Sequence, residues 1–324
     1  MAKYTIDNLP IVKGKYKVIA LDLDDTLLRS DKSISENTIK TLQKAQSQGF
    51  SIAIATGRHP KSAVLYMEKL GCLNKNSYAV CFNGAGVVRL SDYVAFGKDI
   101  GFPMVCKETA PSSLVREVAQ FAHDNDCVVH GYSVTRGLLV ENHNPHTQRE
   151  IDNGRVGFKD ISFTSLDDNE EFFKVLVVGE KETLDRIRGE LPKKFTDFFA
   201  VVRSEANYLE FIPNHSTKGT AIVHLCQALG YTPENAMAFG DAENDLAMIK
   251  SVGLGVAMKN GFDIVKEAAD VVTLTNDEDG VAELVKKYLD SYSLLSAYIS
   301  VWCFANMDNN SCWYRWLVMG KVFN

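Results

Sequence analysis

Apolar residues in this chain come in short unbroken runs that end in polar clusters, and the runs alternate with stretches of helical spacing. Val18, Ile19, Ala20 and Leu21 open the series. They are β-branched at the front and apolar throughout, which predicts a strand buried on both faces. The run stops at Asp22, with Asp24 and Asp25 close behind. Ile39, Leu42 and Ala45 then recur at helical spacing until Gly49 ends the helix. Residues 50–55 predict a second strand, closed by Thr56, Gly57 and Arg58. Pro60 opens a helix that carries Val64 and Met67 and stops at Gly71. A third strand is predicted from Tyr78 to Phe82. Three strand–helix alternations in succession predict βαβ units and a parallel sheet.

The pattern changes between 86 and 212. Apolar runs there come in adjacent pairs, 127–130 with 137–140 and 198–202 with 208–212, and their short polar links predict hairpins. A strand at 172–178 and two helices, one bearing Leu114, Val118 and Phe121 and one around Leu184 and Ile187, complete an inserted α+β unit. The first pattern resumes after 213. A helix carries Ile222, Leu225, Cys226 and Leu229 and closes at Gly230. Strands are predicted at 236–239, 254–257 and 271–274, with a helix at 262–268. Val281, Leu284, Val285 and Tyr288 mark a last amphipathic helix. The fold class is therefore α/β, a doubly wound parallel-sheet (Rossmann-like) core made of residues 1–85 and 213–290, with 86–212 inserted. Residues 291–324 form an appendage that holds all three tryptophans. Its apolar run, 294–307, is shorter than the ~20 residues of a membrane span, so it is read as a packed or partner-seeking segment.

Composition narrows the function. A net charge of −6 without a basic run argues against nucleic acid as a partner. Seven scattered cysteines, without CxxC spacing, suggest neither a zinc site nor a disulfide framework. No signal-like apolar segment stands at the amino terminus, so a cytoplasmic setting is expected. Self-association is left open. His143 and His146 have ligand-like spacing, but Pro145 is expected to block a regular helix there and acids are few nearby. Gly84-Ala85-Gly86 is too short for a dinucleotide fingerprint.

The candidate chemistry lies at strand ends. Asp22, Asp24, Thr56, Lys218, Asp241 and Asp245 all follow predicted parallel strands or open a helix, and one doubly wound sheet would bring them to a single crevice. Clustered carboxylates repel one another unless a cation shares the site, and oxygen-only ligands suit Mg²⁺. A carboxylate attacks phosphorus when a divalent cation and fixed donors neutralise the phosphoryl oxygens. Thr56 offers a hydroxyl, the Gly57 region a backbone N–H, and Lys218 a charge at a helix start. Arg58 is either a substrate contact or a surface ion pair. Asn83, with Gly84 behind it, is either a substrate contact or a turn. Asp25 is read as a capping or solvent-facing residue.

These pieces, Asp22-x-Asp24-x-Thr26, then Thr56-Gly57-Arg58, then Lys218, then Gly240-Asp241-x-x-Asn244-Asp245, resemble the haloacid dehalogenase superfamily of phosphatases. The insert, entered through Phe82-Asn83-Gly84-Ala85, resembles that of the Cof-like branch. The resemblance covers residues 15–290. It implies that Asp22 forms an aspartyl-phosphate and that Asp24 protonates the leaving oxygen and then activates water. It implies Mg²⁺ held by Asp22, the Asp24 carbonyl and Asp241, with Asn244 and Asp245 in support. Asp245 could instead orient Lys218 or a metal-bound water. His215 stands where relatives often carry glycine. The expected activity is hydrolysis of small-metabolite phosphate monoesters, sugar or cofactor phosphates, with the insert as a cap. A phosphomutase using the same aspartates and a non-catalytic phosphoryl-binding protein are the alternatives. A signalling receiver is disfavoured by chain length and by the insert.

Overall fold

The computed structural model describes residues 3–289 apart from 13, 143, 144 and 155. The appendage 291–324, its apolar run and His143 lie outside the described residues. In chain order the strands of the first half are β1 (Tyr4–Thr5), β2 (Val18–Asp22), β3 (Ser51–Ala55), β4 (Ser77–Cys81), β5 (Gly86–Arg89) and β6 (Cys106–Lys107). The insert supplies β7 (Ala110–Pro111), β8 (Val128–Ser133), β9 (Gly137–Val140), β10 (Phe158–Asp160), β11 (Glu171–Val178), β12 (Phe199–Glu205) and β13 (Tyr208–Pro213). The chain returns with β14 (Ala236–Gly240), β15 (Leu254–Ala257) and β16 (Val271–Val272).

Nine of these strands form one sheet in the order β1-β16-β15-β14-β2-β3-β4-β5-β6. Every pairing from β1 to β4 is parallel, while β5 and β6 add antiparallel at the far edge. Both faces of the centre are covered, which is why β2 reads as an unbroken apolar run. Ile19 and Leu21 pack with Leu42, Met67, Leu284 and Val285 on one side. Val18 and Ala20 pack with Ile222, Leu225 and Met248 on the other. The order reverses direction at β2, between β3 and β14. Crossovers leave that point toward opposite faces and open a crevice at the carboxyl ends of both strands.

The insert builds a separate seven-stranded sheet, β10-β9-β8-β11-β13-β12 with β7 beside β11. One face carries Val175, Val177, Leu209 and Phe211 and is covered by Val115 and Val118 of helix Ser112–His123 and by Leu184 of helix Lys181–Gly189. The other face turns toward the first sheet, where Phe82 stacks on Phe173 with ring centroids 4.6 Å apart and meets Tyr132 at 5.2 Å.

Two sequence expectations change. The boundary at 86 falls inside the first sheet, because Gly86–Arg89 folds back on β4 and Cys106–Lys107 pairs with β5. The crossing to the second sheet comes between Lys107 and Ala110. Pro145 does not block a helix but begins one, Pro145–Gly154. At the first helical position proline's missing N–H has no intrahelical partner to lose. The strands β1, β5 and β6 and the helices Leu90–Phe96 and Lys193–Phe198 were not anticipated. Among the described residues no helix is long and apolar enough to cross a membrane.

Candidate active site

β2 delivers Asp22 to the crevice and then turns sharply. Leu23–Leu27 forms a tight loop in which Asp24 is extended and Asp25 is left-handed, with φ 60°. Helix Lys218–Ala228 starts beside it. Thr217 caps that helix, its side chain accepting from the Thr220 amide and the Thr220 hydroxyl accepting from the Thr217 amide, so Lys218 is the first helical residue. The Lys218 side chain is buried and bridges two carboxylates: Nζ donates to Asp22 Oδ1 at 2.5 Å and to Asp245 Oδ1 at 2.7 Å. The other Asp245 oxygen accepts from the backbone amides of Asp241 at 3.0 Å and Ala242 at 3.2 Å. A Cβ on Gly240 would stand 2.4 Å from the Asp245 Cβ, so that glycine makes room for the carboxylate under the end of β14.

Asp241 is held from a different direction, by the Thr26 hydroxyl donating to Oδ1 at 2.7 Å. Oxygens of Asp22, Asp241 and Asp245 all lie within 4.8 Å of one another. Three carboxylates against one ammonium leave a negative surplus in a poorly solvated place. Burial, with Asp245 adding and Lys218 opposing, pushes the Asp22 carboxyl well above the usual carboxylate range. Burial likewise pushes Asp241 up to about 6, against the Thr26 hydrogen bond. Burial alone would lower Lys218, but the Asp22 and Asp245 carboxylates outweigh it and raise the ammonium above its ordinary value. An all-oxygen acidic set under this repulsion could hold a hard divalent cation. Asp245 is near enough to share such an ion, and both of its oxygens are already engaged, one by Lys218 and one by two backbone amides.

Asp24 does not join the three. Its carboxylate accepts from Arg58 Nη2 at 2.6 Å and from Lys32 Nζ at 3.1 Å. Asn244 is exposed on the short turn Glu243–Asp245. Asp25 is exposed, as is His215, whose carbonyl accepts from the Thr220 hydroxyl. Thr56 is buried one residue beyond Ala55, the partner of Asp22 in the β2–β3 register. Its hydroxyl accepts from the Arg58 amide at 3.2 Å. The Asn83 side chain rests against Gly57, within 3.0 Å of where a Cβ would be. Gly84 has φ +112°, and a Cβ on it would stand 2.3 Å from the Thr217 carbonyl carbon, so this glycine lets the β4–β5 turn dock against the backbone entering Lys218.

Sequence reasoning gave Thr26 no role, although it lies in the same short motif as Asp22 and Asp24. It also passed over Lys174 and Glu210. Each is a charge inside an otherwise apolar strand, and that was the available signal.

A sequence profile of haloacid dehalogenase-like hydrolases matches residues 19–285. The chain is 31% identical over 283 residues to 5-amino-6-(5-phospho-D-ribitylamino)uracil phosphatase YitU of Bacillus subtilis, covering 86% of this chain and 99% of that one. It is 29% identical over 295 residues to phosphatase YwpJ of the same organism, covering 84% and 100%. A solved haloacid dehalogenase-like hydrolase from Bacteroides thetaiotaomicron superposes with TM-score 0.73 at 32% identity, covering 84% of this chain and 99% of that one.

Proposed function

The chain belongs to the haloacid dehalogenase-like hydrolases, and from that premise we propose that it is a Mg²⁺-dependent phosphatase of small-metabolite phosphate monoesters. The convergence of Asp22, Lys218, Asp241 and Asp245 on one crevice carries the reading. Relatives named as phosphatases, one of them for a ribitylaminouracil phosphate, support the substrate class.

Asp22 is the nucleophile. Its carboxylate attacks phosphorus and forms an aspartyl-phosphate as the phosphorus–oxygen bond to the leaving alcohol breaks. Lys218 holds Asp22 in place through its 2.5 Å hydrogen bond and sets a fixed positive charge beside the phosphoryl oxygens. The Gly57 backbone and the Thr56 hydroxyl add donors on the β3 side. Asp24, once it leaves Arg58 and takes up a proton from solvent, gives that proton to the leaving oxygen and later regains one from the water that hydrolyses the intermediate. Mg²⁺ bound by Asp22 and Asp241 would neutralise phosphoryl charge. The inserted sheet serves as a cap that excludes bulk water from the crevice.

The test is phosphate release from a broad panel of phosphorylated metabolites, with Mg²⁺ and with chelator, for wild type and Asp22→Asn. Mg²⁺-dependent release that Asp22→Asn abolishes, in a protein that still melts cooperatively, is the expected result. Turnover by Asp22→Asn at the wild-type rate would sink the nucleophile assignment, and silence across the panel would sink the phosphatase.

A further inference from the structure

Lys174 and Glu210 lie on the face of the inserted sheet that turns toward the first sheet. The β11–β13 register pairs Leu176 with Glu210, which puts Lys174 diagonal to Glu210 on one face. Lys174 Nζ is 3.3 Å from Glu210 Oε1 and 3.6 Å from Glu150 Oε1. It also sits 5.3 Å from the centroid of the Tyr132 ring, and the Tyr132 hydroxyl donates to Glu150 Oε1 at 2.8 Å. Lys174, Glu150, Glu210 and Tyr132 are 4%, 8%, 6% and 2% exposed. One ammonium between two buried carboxylates leaves a negative surplus, and burial pushes the Glu150 carboxyl up accordingly.

This cluster meets the candidate active site through Asn83. The Asn83 amide nitrogen donates to Glu210 Oε2 at 3.5 Å, the limit of a hydrogen bond. Asn83 Oδ1 is buried and has no partner among the described residues. The same side chain rests on Gly57, next to Thr56. Asn83 Oδ1 therefore stands without a donor, and Glu210 Oε2 has only that long contact, beside the turn that docks on the backbone entering Lys218. Buried acceptors in that state are costly until a donor arrives.

We propose, resting on the phosphatase reading above, that Asn83 and Glu210 are specificity-determining residues that accept hydrogen bonds from the leaving group. They select phosphate monoesters whose alcohol part carries hydroxyl or amino groups and no second anionic group. Lys174 is a positioning residue that fixes Glu210, and it is itself fixed by Glu150 and Tyr132. A second phosphate or a carboxylate on the leaving group would meet two buried carboxylates whose one close ammonium, Lys174, is already shared between them.

Full-length enzyme is assayed with Mg²⁺ on a hydroxyl-free alkyl monophosphate, a pentitol monophosphate, the pentitol bisphosphate and an aldonic acid phosphate of equal length. The expected kcat/KM for the pentitol monophosphate exceeds that for the bisphosphate and the acid by about tenfold or more. Glu210→Gln is expected to shrink the ratio of pentitol to alkyl kcat/KM about tenfold, chiefly through KM. Equal or better turnover of the bisphosphate or the acid overturns the assignment, and so does a Glu210→Gln effect equal on both monoesters. The substrate comparison needs no variant, so it decides even if Glu210→Gln fails to fold. Hydrolysis of the alkyl ester without preference for the pentitol ester refutes only the roles of Asn83 and Glu210. A wild type that hydrolyses none of the four esters refutes the phosphatase reading, and the proposal with it.

Discussion

Replacing Asp245 by asparagine keeps the shape of the side chain and reverses the chemistry of one of its two ends. The carboxylate accepts from Lys218 on one oxygen and from two backbone amides on the other. An asparagine has one acceptor and one donor end. With its oxygen toward Lys218, its NH₂ confronts the amides of Asp241 and Ala242. Turned over, its NH₂ confronts the ammonium. Either orientation loses at least one hydrogen bond to a charged group, worth about 1.5–3 kcal/mol, and leaves buried donors facing each other. Removing one partner of a buried ion pair costs about 3–5 kcal/mol. Asp22 still pairs with Lys218, so the lower part of that range, about 3 kcal/mol, is the expected loss of unfolding free energy. Turnover should fall about 100-fold, as when one well-placed donor to the reacting group is lost. Urea denaturation gives the first quantity, and kcat measured across a Mg²⁺ titration gives the second. The half-saturating Mg²⁺ concentration should stay within about twofold, because in this account Asp245 acts on the lysine. A variant that keeps wild-type stability but needs tenfold more Mg²⁺ would show instead that Asp245 is a metal ligand, and the argument from its two engaged oxygens would fail.

His59 caps helix Pro60–Lys69 and is buried against Phe82, Phe102 and Tyr132, and burial lowers its pKa to about 4 from 6.5. Between those values the unfolded chain binds a proton that the folded chain excludes. Its contribution to stability is therefore intact above about pH 6.5 and lost as pH falls toward 4, by up to ~3 kcal/mol. Urea midpoints for wild type and His59→Asn across pH 4–7 check this, and parallel curves would refute it. Gly84→Ala places a methyl against the Thr217 carbonyl at a left-handed φ, so it should cost about 2 kcal/mol or more and lower kcat by displacing Lys218. Thermal melting and steady-state rates test it, and a wild-type melt would contradict the close approach.

The parallel half of the fold was legible because its centre is covered on both sides. Alternate residues of β2 face different helices, so the strand had to be apolar without a break, and its end was marked by Asp22. Asp241 and Lys218 were legible for the same reason, since strand ends and helix starts in such a sheet share one edge. The antiparallel additions β5 and β6 were not, because joining the edge depends on a turn at Phe82–Gly84 with three consecutive positive φ values rather than on any period in the sequence. The helix at Pro145 was missed by treating proline as a breaker at the one position where it starts helices. Asp24 shows a different limit. Its motif was plain, but its pairing with Arg58 and Lys32 depends on rotamers that no spacing encodes. Lys174 and Glu210 were visible as charges in buried strands and were passed over because each run was read only for its apolar content.

The central strand has neighbours made at very different times. β3 follows β2 within about 30 residues, but β14, its other neighbour, begins at Ala236, on the far side of the whole insert. At synthesis rates of about 5–20 residues per second, the flank that bears Asp22 stays without β14 for roughly 10–40 s. During that wait the nascent chain leaves that flank of β2 unpaired, while the inserted sheet, whose last strand ends at Pro213, is completed ahead of β14. Yield in the cell should therefore depend on chaperones that shield that edge, more than the stability of the finished protein would suggest.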